Sequence, residues 1–285
     1  MKIAFLGTGL MGGLMAQRLL DKSYNVIVWN RTKSKTEKLK NKGAVVAETT
    51  ADAILKSDLI ITMLTDFNAV SSVLFPEKIS FKNKTVIQMG TIAPGESILL
   101  KERIEQLEGE YFESPVLGGI AQIPAGNLLP LVGAGQSQFS RWKSFIENFG
   151  ERAYHIGEVG KGASAKLAFN QLIASLTSSF SMSLGYIREV GIDPNLFMEI
   201  LRQSNLYAPT FDKKLDSMIE REFANTNFPL KHLYKDINLA MSEFVNHGIN
   251  VSALEGVVEL LKEGIRNKLS DQDYAVIYNI TNPKK

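Results

Sequence analysis

The 285-residue chain contains no cysteine. Disulfides, thiolate nucleophiles and cysteine-ligated zinc are therefore excluded, and any redox chemistry must come from a cofactor. Histidine is also scarce, because only His155, His232 and His247 are present, without the spacing of metal ligands. The motifs of zinc proteases and serine hydrolases are absent as well. The sequence argues against a metal site and against metal-dependent or serine-based hydrolysis.

Neither sign of charge is in excess, since 32 lysines and arginines face 30 aspartates and glutamates, a net charge of +2. There is no arginine-rich tail that could follow a phosphate backbone, so nucleic acid is not expected as a partner. The N-terminal apolar stretch is too short for a signal peptide, and a cytoplasmic protein is expected. The chain is longer than one hydrophobic core usually serves, which predicts two domains.

One long segment, residues 167–187, carries no charged side chain and is long enough to span a bilayer. It contains many serine, threonine, asparagine and glutamine side chains, whose desolvation in lipid would be costly. A helix packed between protein surfaces fits this composition better. The sequence therefore predicts no membrane partner, and it predicts that the aromatic residues of this half, including Phe169, Phe180, Tyr186 and Phe211, are mostly core.

Short apolar segments alternate with helical patterns through the first half of the chain. This alternation predicts an α/β fold with a doubly wound, mostly parallel sheet of the Rossmann type. From Ala163 onward the periodicity is helical, beginning with a helix of about 25 to 30 residues. We predict a dinucleotide-binding domain at 1–160 and an all-α domain for substrate binding and oligomerisation at 161–285, joined by this long helix. The predicted strands are 3–6, 26–29, 59–64, 85–88, 129–132 and a last one near 154–156, and helix breaks are predicted at 191–194, 208–209, 227–229 and 247–248.

A glycine-rich turn follows the first predicted strand and precedes a helical pattern. The G-x-G-x-x-G order in this context is the signature of a dinucleotide site. Its glycines permit a tight turn, close approach of a pyrophosphate and close helix–strand packing, and the helix N-terminus offers amide donors. The turn predicts a nicotinamide coenzyme, and its residues are Gly7, Thr8, Gly9, Leu10, Met11 and Gly12.

The end of the second strand selects the coenzyme. An acidic residue there would bond the adenosine ribose of NAD, but this chain has Asn30, Arg31 and Thr32. A 2′-phosphate would accept hydrogen bonds from the Arg31 guanidinium and the Thr32 hydroxyl, with Lys33 or Lys35 adding positive charge. We therefore expect NADP(H) to be preferred over NAD(H).

Four separated segments, in this order, resemble the β-hydroxyacid dehydrogenases of the 6-phosphogluconate dehydrogenase superfamily, which include 3-hydroxyisobutyrate dehydrogenases and glyoxylate/succinic semialdehyde reductases. They are the glycine turn, 113–119, 160–170 and 231–239, the last containing Lys235-Asp236. The resemblance covers nearly the whole chain. It implies a Rossmann domain, a long helix leading into an all-helical domain, and a homodimer or homotetramer.

The resemblance implies that Lys166 is the catalytic acid or base. The local sequence supports a special role, since Lys166 interrupts an uncharged helix and an isolated buried ammonium is expected to have a lowered pKa. In reduction, hydride would pass from the nicotinamide to the carbonyl carbon while Lys166 protonates the developing alkoxide. Asn170 lies one helical turn further on, on the same face, and by the resemblance orients the lysine or binds substrate.

The remaining site residues also come from the resemblance. The segment 114–119 would hold a substrate carboxylate, but Leu117 replaces the usual serine, while Gly118 and Gly119 keep a close backbone approach possible. Thr91 matches a threonine near nicotinamide and substrate, and Met63 and Leu64 match the loop after the fourth strand. Lys235 matches a lysine that helps close the site over coenzyme or substrate.

The sequence thus predicts an NADP(H)-dependent oxidoreductase that reduces a small aldehyde-acid of the glyoxylate or succinic semialdehyde type, or oxidises a β-hydroxyacid such as 3-hydroxyisobutyrate. The substrate and the physiological direction stay open. An imine reductase is the enzyme alternative. Imine reductases of similar organisation generally lack this lysine, so Lys166 favours carbonyl chemistry, whereas Leu117 in place of the family serine keeps the alternative open. A non-catalytic coenzyme-binding interaction module is the alternative of another class. Phosphogluconate dehydrogenases have a much larger helical domain, so phosphogluconate is not expected as the substrate.

Overall fold

The computed structural model describes residues 1–76 and 79–284, and the chain divides into two compact units, Met1–Leu167 and Ala168–Lys285. Each described unit has its own secondary-structure class. In the first, the strands are β1 (Lys2–Leu6), β2 (Asn25–Trp29), β3 (Val45–Val46), β4 (Leu59–Thr62), β5 (Thr85–Gln88), β6 (Glu110–Glu113), β7 (Val116–Leu117), β8 (Leu129–Gly133) and β9 (Tyr154–Gly157). The helices are α1 (Leu10–Asp21), α2 (Glu37–Lys40), α3 (Thr50–Leu55), α4 (Phe67–Leu74), α5 (Pro94–Gln106) and α6 (Gln136–Ile146), with 3-10 helices at Lys33–Thr36 and Ile120–Gln122.

The strands form one sheet in the order β3-β2-β1-β4-β5-β6-β8-β7, with β9 also paired to β8. The pairs from β3 to β6 are parallel, and β8 runs antiparallel to β6 and β7 and parallel to β9. Thr62 lies beside Gln88, and Gln88 lies beside Glu113, at the carboxyl ends of β4, β5 and β6. The turns after these strands therefore meet at one edge, where open α/β sheets bind ligands.

The central strands are buried on both faces. Ile3 and Phe5 of β1 belong to one hydrophobic core and Ala4 and Leu6 to the other, because successive side chains of a strand point to opposite faces. Helices cover both faces of a parallel sheet, so its strands are almost continuously apolar. This explains why apolar runs in the sequence were sufficient to predict β1, β2, β5 and β8.

The predicted end of β4 was wrong, and three strands, β3, β6 and β7, were not predicted. The strand predicted at 59–64 ends at Thr62, and Met63 and Leu64 belong to the following turn. β3 and β7 have two residues each, which is too short for a sequence pattern. β6 begins and ends with glutamate, so its apolar run is only Tyr111–Phe112.

The 29-residue helix α7 (Lys161–Glu189) begins in the first unit and continues into the second, confirming the predicted length. The compact division falls after Leu167 rather than at residue 160, because the first turn of α7 packs on β6 and β8. Within the described residues, no helix is long and apolar enough to cross a membrane. The other helices of the second unit are α8 (Pro194–Gln203), α9 (Pro209–Glu220), α10 (Leu230–Asn246), α11 (Ser252–Arg266) and α12 (Ile277–Thr281). The four predicted breaks fall between successive helices from α7 to α11, but the break between α11 and α12 was not predicted.

The aromatic residues of the second unit divide between core and surface. Phe180 and Phe211 are buried and stack with ring centroids 4.7 Å apart. The prediction that these aromatic residues are mostly core was wrong for Phe169 and Tyr186, which are 39% and 68% exposed. Both lie on an exposed face of α7, which we call the α7 stripe and define as Phe169, Leu172, Leu176, Ser179, Ser183 and Tyr186.

Candidate active site

The glycine turn between β1 and α1 is shaped by close backbone contacts. Gly7 has a φ of +101°, and a Cβ on it would lie 2.5 Å from the Met63 carbonyl oxygen. A Cβ on Gly12 would lie 2.0 Å from the Gly7 carbonyl oxygen. The first and third glycines are therefore required by the turn itself and by the packing of α1 on the sheet.

Gly9 differs from the other two, because a Cβ there would meet nothing within 4 Å. Gly9 precedes α1, which has no side-chain cap and no acidic residue in its first turn. The N–H groups of the first turn lack helical acceptors, and the helix dipole makes this end electropositive. The open space at Gly9 and these donors fit the pyrophosphate of a dinucleotide.

Asn30 joins this turn to the one after β2. Its Oδ1 accepts from the Thr8 backbone N–H at 3.0 Å, and its Nδ2 donates to the Thr32 carbonyl at 3.0 Å. The Thr8 hydroxyl donates to the Lys35 carbonyl at 3.2 Å. The Asn30 side chain therefore holds the turn after β1 against the turn after β2, a role that the sequence did not reveal. Beyond it, Arg31, Thr32 and Lys35 are exposed.

The turns after β4 and β5 pack against each other at the same edge. A Cβ on Gly90 would lie 2.5 Å from the Leu64 carbonyl oxygen, so the two backbones touch there. Met63, Leu64 and Thr91 are all half-buried. The structure thus brings Met63 and Leu64 next to the glycine turn through Gly7, and Thr91 follows directly on the Gly90 contact.

The segment after β6 contains an unexpected contact. Leu117 is half-buried in β7, and Gly118 has a φ of +128°. The Gly119 N–H, expected to hold a substrate carboxylate, donates to the Gln122 Oε1 at 2.5 Å. Gln122 was missed by the sequence reasoning, although a glutamine three residues after a turn residue is the spacing of a capping box.

Lys166 lies in the second turn of α7 and is buried, with 8% of its surface exposed. It belongs to the same compact unit as the glycine turn. The next ionisable side chain along the helix is Tyr186, and the next charged one is Arg188. A buried ammonium on a segment without other charges is a group that can exchange a proton with a substrate oxygen.

Asn170, one helical turn after Lys166, is fully buried in the second unit. Its Nδ2 donates to Asp236 Oδ2 at 2.6 Å, and the other Asp236 oxygen forms an ion pair with Lys235 Nζ at 2.7 Å. Only the amide nitrogen can donate to a carboxylate, so Asp236 fixes the orientation of the Asn170 amide. The Oδ1 of Asn170 accepts no hydrogen bond from residues 1–76 and 79–284. It is a buried acceptor available to a donor.

Asp236 was named in the sequence only as part of a motif, and the structure shows that it connects Asn170 with Lys235. His232 lies one turn before it on α10. Burial lowers the pKa of His232, and the Asp236 carboxylate opposes this shift. The neutral ring of His232 is therefore favoured near neutral pH.

Comparison with known proteins identifies the family. Residues 2–157 match the model described as the NAD binding domain of 6-phosphogluconate dehydrogenase, and residues 160–281 match NAD-binding of NADP-dependent 3-hydroxyisobutyrate dehydrogenase. The chain is 32% identical over 281 residues to the chloroplastic glyoxylate/succinic semialdehyde reductase 2 of Arabidopsis thaliana, covering 96% of this chain and 78% of the relative. The chain belongs to the β-hydroxyacid dehydrogenase family. It is a nicotinamide-coenzyme-dependent oxidoreductase acting on CH–OH or carbonyl groups.

Two solved structures have folds similar to that of this chain. The 3-hydroxyisobutyrate dehydrogenase of Mycobacterium tuberculosis has a TM-score of 0.87 at 19% identity, covering 98% of each chain. An imine reductase from Myxococcus stipitatus has a TM-score of 0.67 at 19% identity, covering 98% of this chain and 99% of that one. The predicted architecture, a Rossmann domain followed by helices, is confirmed.

Proposed function

We propose that this protein reduces a small aldehyde-acid of the glyoxylate or succinic semialdehyde type with NADPH, or oxidises a β-hydroxyacid such as 3-hydroxyisobutyrate in the reverse direction, with Lys166 as general acid and base. The observation that carries the proposal is the buried position of Lys166 in the same unit as the glycine turn. The name of the Arabidopsis relative supports the substrate class.

In this reaction the coenzyme, when bound, supplies or accepts the hydride. Lys166 Nζ donates a proton to the carbonyl oxygen as the carbonyl carbon is reduced, so that the product is a neutral hydroxyl group. In the oxidation direction the same nitrogen, unprotonated, removes the hydroxyl proton. Exclusion of water around Lys166 strengthens its interaction with a developing alkoxide.

NADP(H) preference is supported by the turn after β2. Asn30 stands where a carboxylate would bind the ribose of NAD, and its side chain is committed to Thr8 and Thr32. Arg31, Thr32 and Lys35 are exposed beside it and would hold a 2′-phosphate. The pyrophosphate would lie at residues 7–12, and the nicotinamide near Met63, Leu64 and Thr91.

For the substrate, we propose that its carboxylate binds at Gly118 and Gly119, with Leu117 as an apolar wall. Within the second unit, we propose Lys235 and Asn170 as substrate-binding residues. Asn170 Oδ1 would accept a hydrogen bond from the substrate hydroxyl or from Lys166, since Asp236 keeps that oxygen oriented away from the carboxylate.

An imine reductase is the second candidate, and the specific observation in its favour is the half-buried Leu117 in place of the family serine. An apolar side chain there removes one donor to a carboxylate. The two candidates are separated by measuring NADPH oxidation with glyoxylate, succinic semialdehyde and a cyclic imine. Turnover of the imine alone would favour the second candidate, and coenzyme binding without turnover of any substrate would favour an interaction module.

We further propose that the protein is a homodimer or homotetramer. The α7 stripe is an exposed, largely apolar face that recurs every three or four residues along the helix. Residues 167–187 carry no charge, so a second copy can lie against the same stripe without bringing like charges together.

The proposal for Lys166 is tested with Lys166→Met. We expect NADPH to bind with unchanged affinity, measured by fluorescence titration, and kcat to fall by about 10²–10⁴-fold because the general acid is lost. Lys161→Met is the matched control, since Lys161 is an exposed lysine on the same helix, and it should retain kcat. Turnover of Lys166→Met near the wild-type value would remove Lys166 from the mechanism.

A further inference from the structure

The carboxylate of Glu113, at the end of β6, is buried and takes no part in the reaction proposed above. Its two oxygens bond to the start of the helix that carries Lys166. Oε2 accepts from the Gly160 N–H at 2.9 Å, and Oε1 accepts from the Ala163 N–H at 2.9 Å. Glu113 is thus a cap for α7 supplied by a strand that lies far away in the sequence.

The buried carboxylate of Glu113 is surrounded by hydrogen-bond donors. Burial raises the pKa of Glu113, and the hydrogen bonds from the Ser97 hydroxyl and from the backbone N–H groups of Ala163, Gly160 and Gly162 oppose that shift. The Ser97 hydroxyl also lies 2.8 Å from the Tyr111 hydroxyl. Charge-assisted bonds from several N–H donors are the strong class of hydrogen bond.

Two glycines provide the space that the carboxylate occupies. A Cβ on Gly133 would lie 2.2 Å from Glu113 Oε1, and a Cβ on Gly162 would lie 2.7 Å from the same atom. Gly133 is in β8 and Gly162 in the first turn of α7. The resemblance segments 113–119 and 160–170 therefore meet at one carboxylate.

From these contacts we infer that Glu113 is the positioning residue for Lys166: it clamps the first turn of α7 to the carboxyl edge of the sheet and so sets where the lysine stands. The inference rests on the proposed role of Lys166. Lys166 follows the clamped Ala163 by one turn, so a movement of the clamped turn moves the lysine with it. Displacement of a catalytic group by about 1 Å can lower a rate by as much as about 10²-fold.

The clamp has the geometry of a positioning device. A local cap from the residue before a helix satisfies its N–H groups but leaves the helix free to shift on the sheet. Glu113 bonds Gly160 and Ala163 from a neighbouring strand, and therefore fixes the helix start relative to the sheet.

The test compares Glu113→Gln with the wild type. The amide keeps the shape of the side chain but replaces one acceptor with a donor that faces a backbone N–H. We expect kcat to fall by about 10–100-fold, with the dissociation constant for NADPH unchanged and with faster amide hydrogen exchange in residues 158–166. Glu113→Asp, which keeps the charge on a shorter side chain, should give a smaller loss; it also serves if the glutamine variant does not fold.

Gly133→Ala provides an independent perturbation, because its methyl group would displace the Glu113 carboxylate from α7. Its effect on kcat should be smaller in the Glu113→Asp background, where the shorter side chain leaves room. Additive effects of the two substitutions would contradict the shared mechanism. Tyr111→Phe is the matched control: it removes a buried hydroxyl from the same network without touching α7, and should lower Tm while preserving kcat.

Two results would overturn the inference: an unchanged kcat in Glu113→Gln, or an equal loss of kcat in Tyr111→Phe at the same loss of Tm. The Lys166→Met measurement separates this inference from the proposed function. If Lys166→Met keeps its turnover, the proposed function fails, and the inference fails with it. Faster amide hydrogen exchange in the Glu113 variants would then show only that Glu113 caps α7. If Lys166→Met loses turnover and the Glu113 variants do not, only the inference fails.

Discussion

Arg31 lies just beyond β2, where the ribose end of a dinucleotide is recognised in this fold. Two of its neighbours are already engaged, since Asn30 bonds the Thr8 N–H and the Thr32 carbonyl, and Lys33 pairs with Glu48 at 2.5 Å. Of the residues proposed for a 2′-phosphate, Arg31, Thr32 and Lys35, the Arg31 guanidinium is the one that can donate two parallel hydrogen bonds.

Arg31→Ala should weaken recognition of NADPH specifically. A lost hydrogen bond to a charged group corresponds to about 1.5–3 kcal/mol, so the KM for NADPH should rise by about 10–100-fold while the KM for NADH stays within about twofold. Steady-state kinetics with both coenzymes measure this. Lys38→Ala, an exposed cation on α2, is the control and should leave both values unchanged. A parallel rise for NADH would mean that Arg31 does not contact the phosphate.

Individual residues differ in how well the sequence revealed them. Gly7, Gly9 and Gly12 carry a local signature, because three glycines at fixed spacing after a strand have one structural use. Asp236 and Glu113 carry none. A buried acid looks like any other acid in a sequence, and only the fold shows that Asp236 meets Asn170 and that Glu113 meets α7.

At the scale of elements, the turn from β7 into the 3-10 helix Ile120–Gln122 contains Leu117, the residue at which the sequence departs from the serine that the family resemblance implies. Leu117 replaces the family serine, and Gln122 Oε1 already occupies the Gly119 N–H. A carboxylate that binds this N–H must first displace the glutamine. At this proposed carboxylate site, Leu117 and Gln122 would therefore each weaken binding, and the effect of Gln122 is the more easily tested of the two.

Gln122→Ala should free the Gly119 donor and lower the KM for a small carboxylate substrate by about fivefold, the equivalent of about one neutral hydrogen bond. Gln122→Glu should act in the opposite direction, because a negative charge would face the incoming carboxylate. Neither substitution should alter kcat, since the side chain at position 122 is not expected to contact the reacting atoms. Initial-rate kinetics with succinic semialdehyde give the comparison. Unchanged KM values in both variants would place the carboxylate elsewhere.

Among the elements, those with long, uniform patterns were predicted well. The absence of charge from 167–187 predicted one long helix, and α7 confirms it. β7 and β6 were not predicted, because their residues become strands by pairing with β8 and β5 rather than by their own propensity. Strand pairing is a long-range property, which a short window of sequence does not contain.

At the scale of the whole molecule, the α7 stripe is the surface through which we propose that two copies associate. Leu172, the second residue of the stripe, is 51% exposed, and residues 167–187 around it carry no charge. Two copies related by a twofold axis would bury the stripe of each against the other, removing apolar surface from water.

Leu172→Glu should dissociate the proposed oligomer, because it places two like charges opposite each other at a desolvated contact. We expect the wild type to elute with the mass of a dimer or tetramer in size-exclusion chromatography with light scattering, and the variant with a smaller mass. Leu55→Glu is the matched control, because Leu55 ends α3 in the first unit and is 62% exposed. A monomeric wild type, or an unchanged mass for Leu172→Glu, would contradict self-association through this stripe.

The amino-acid sequence by itself determined the glycine turn, the strand and helix rhythm, and the presence of Arg31 and Lys166, because each depends on residue type and local spacing. Only the tertiary structure decided which groups these residues meet. Asn30 proved to join two turns, Gln122 to occupy the Gly119 donor, and Glu113 to hold the start of α7. These contacts join residues through side-chain direction and burial, and the chain must fold before they exist.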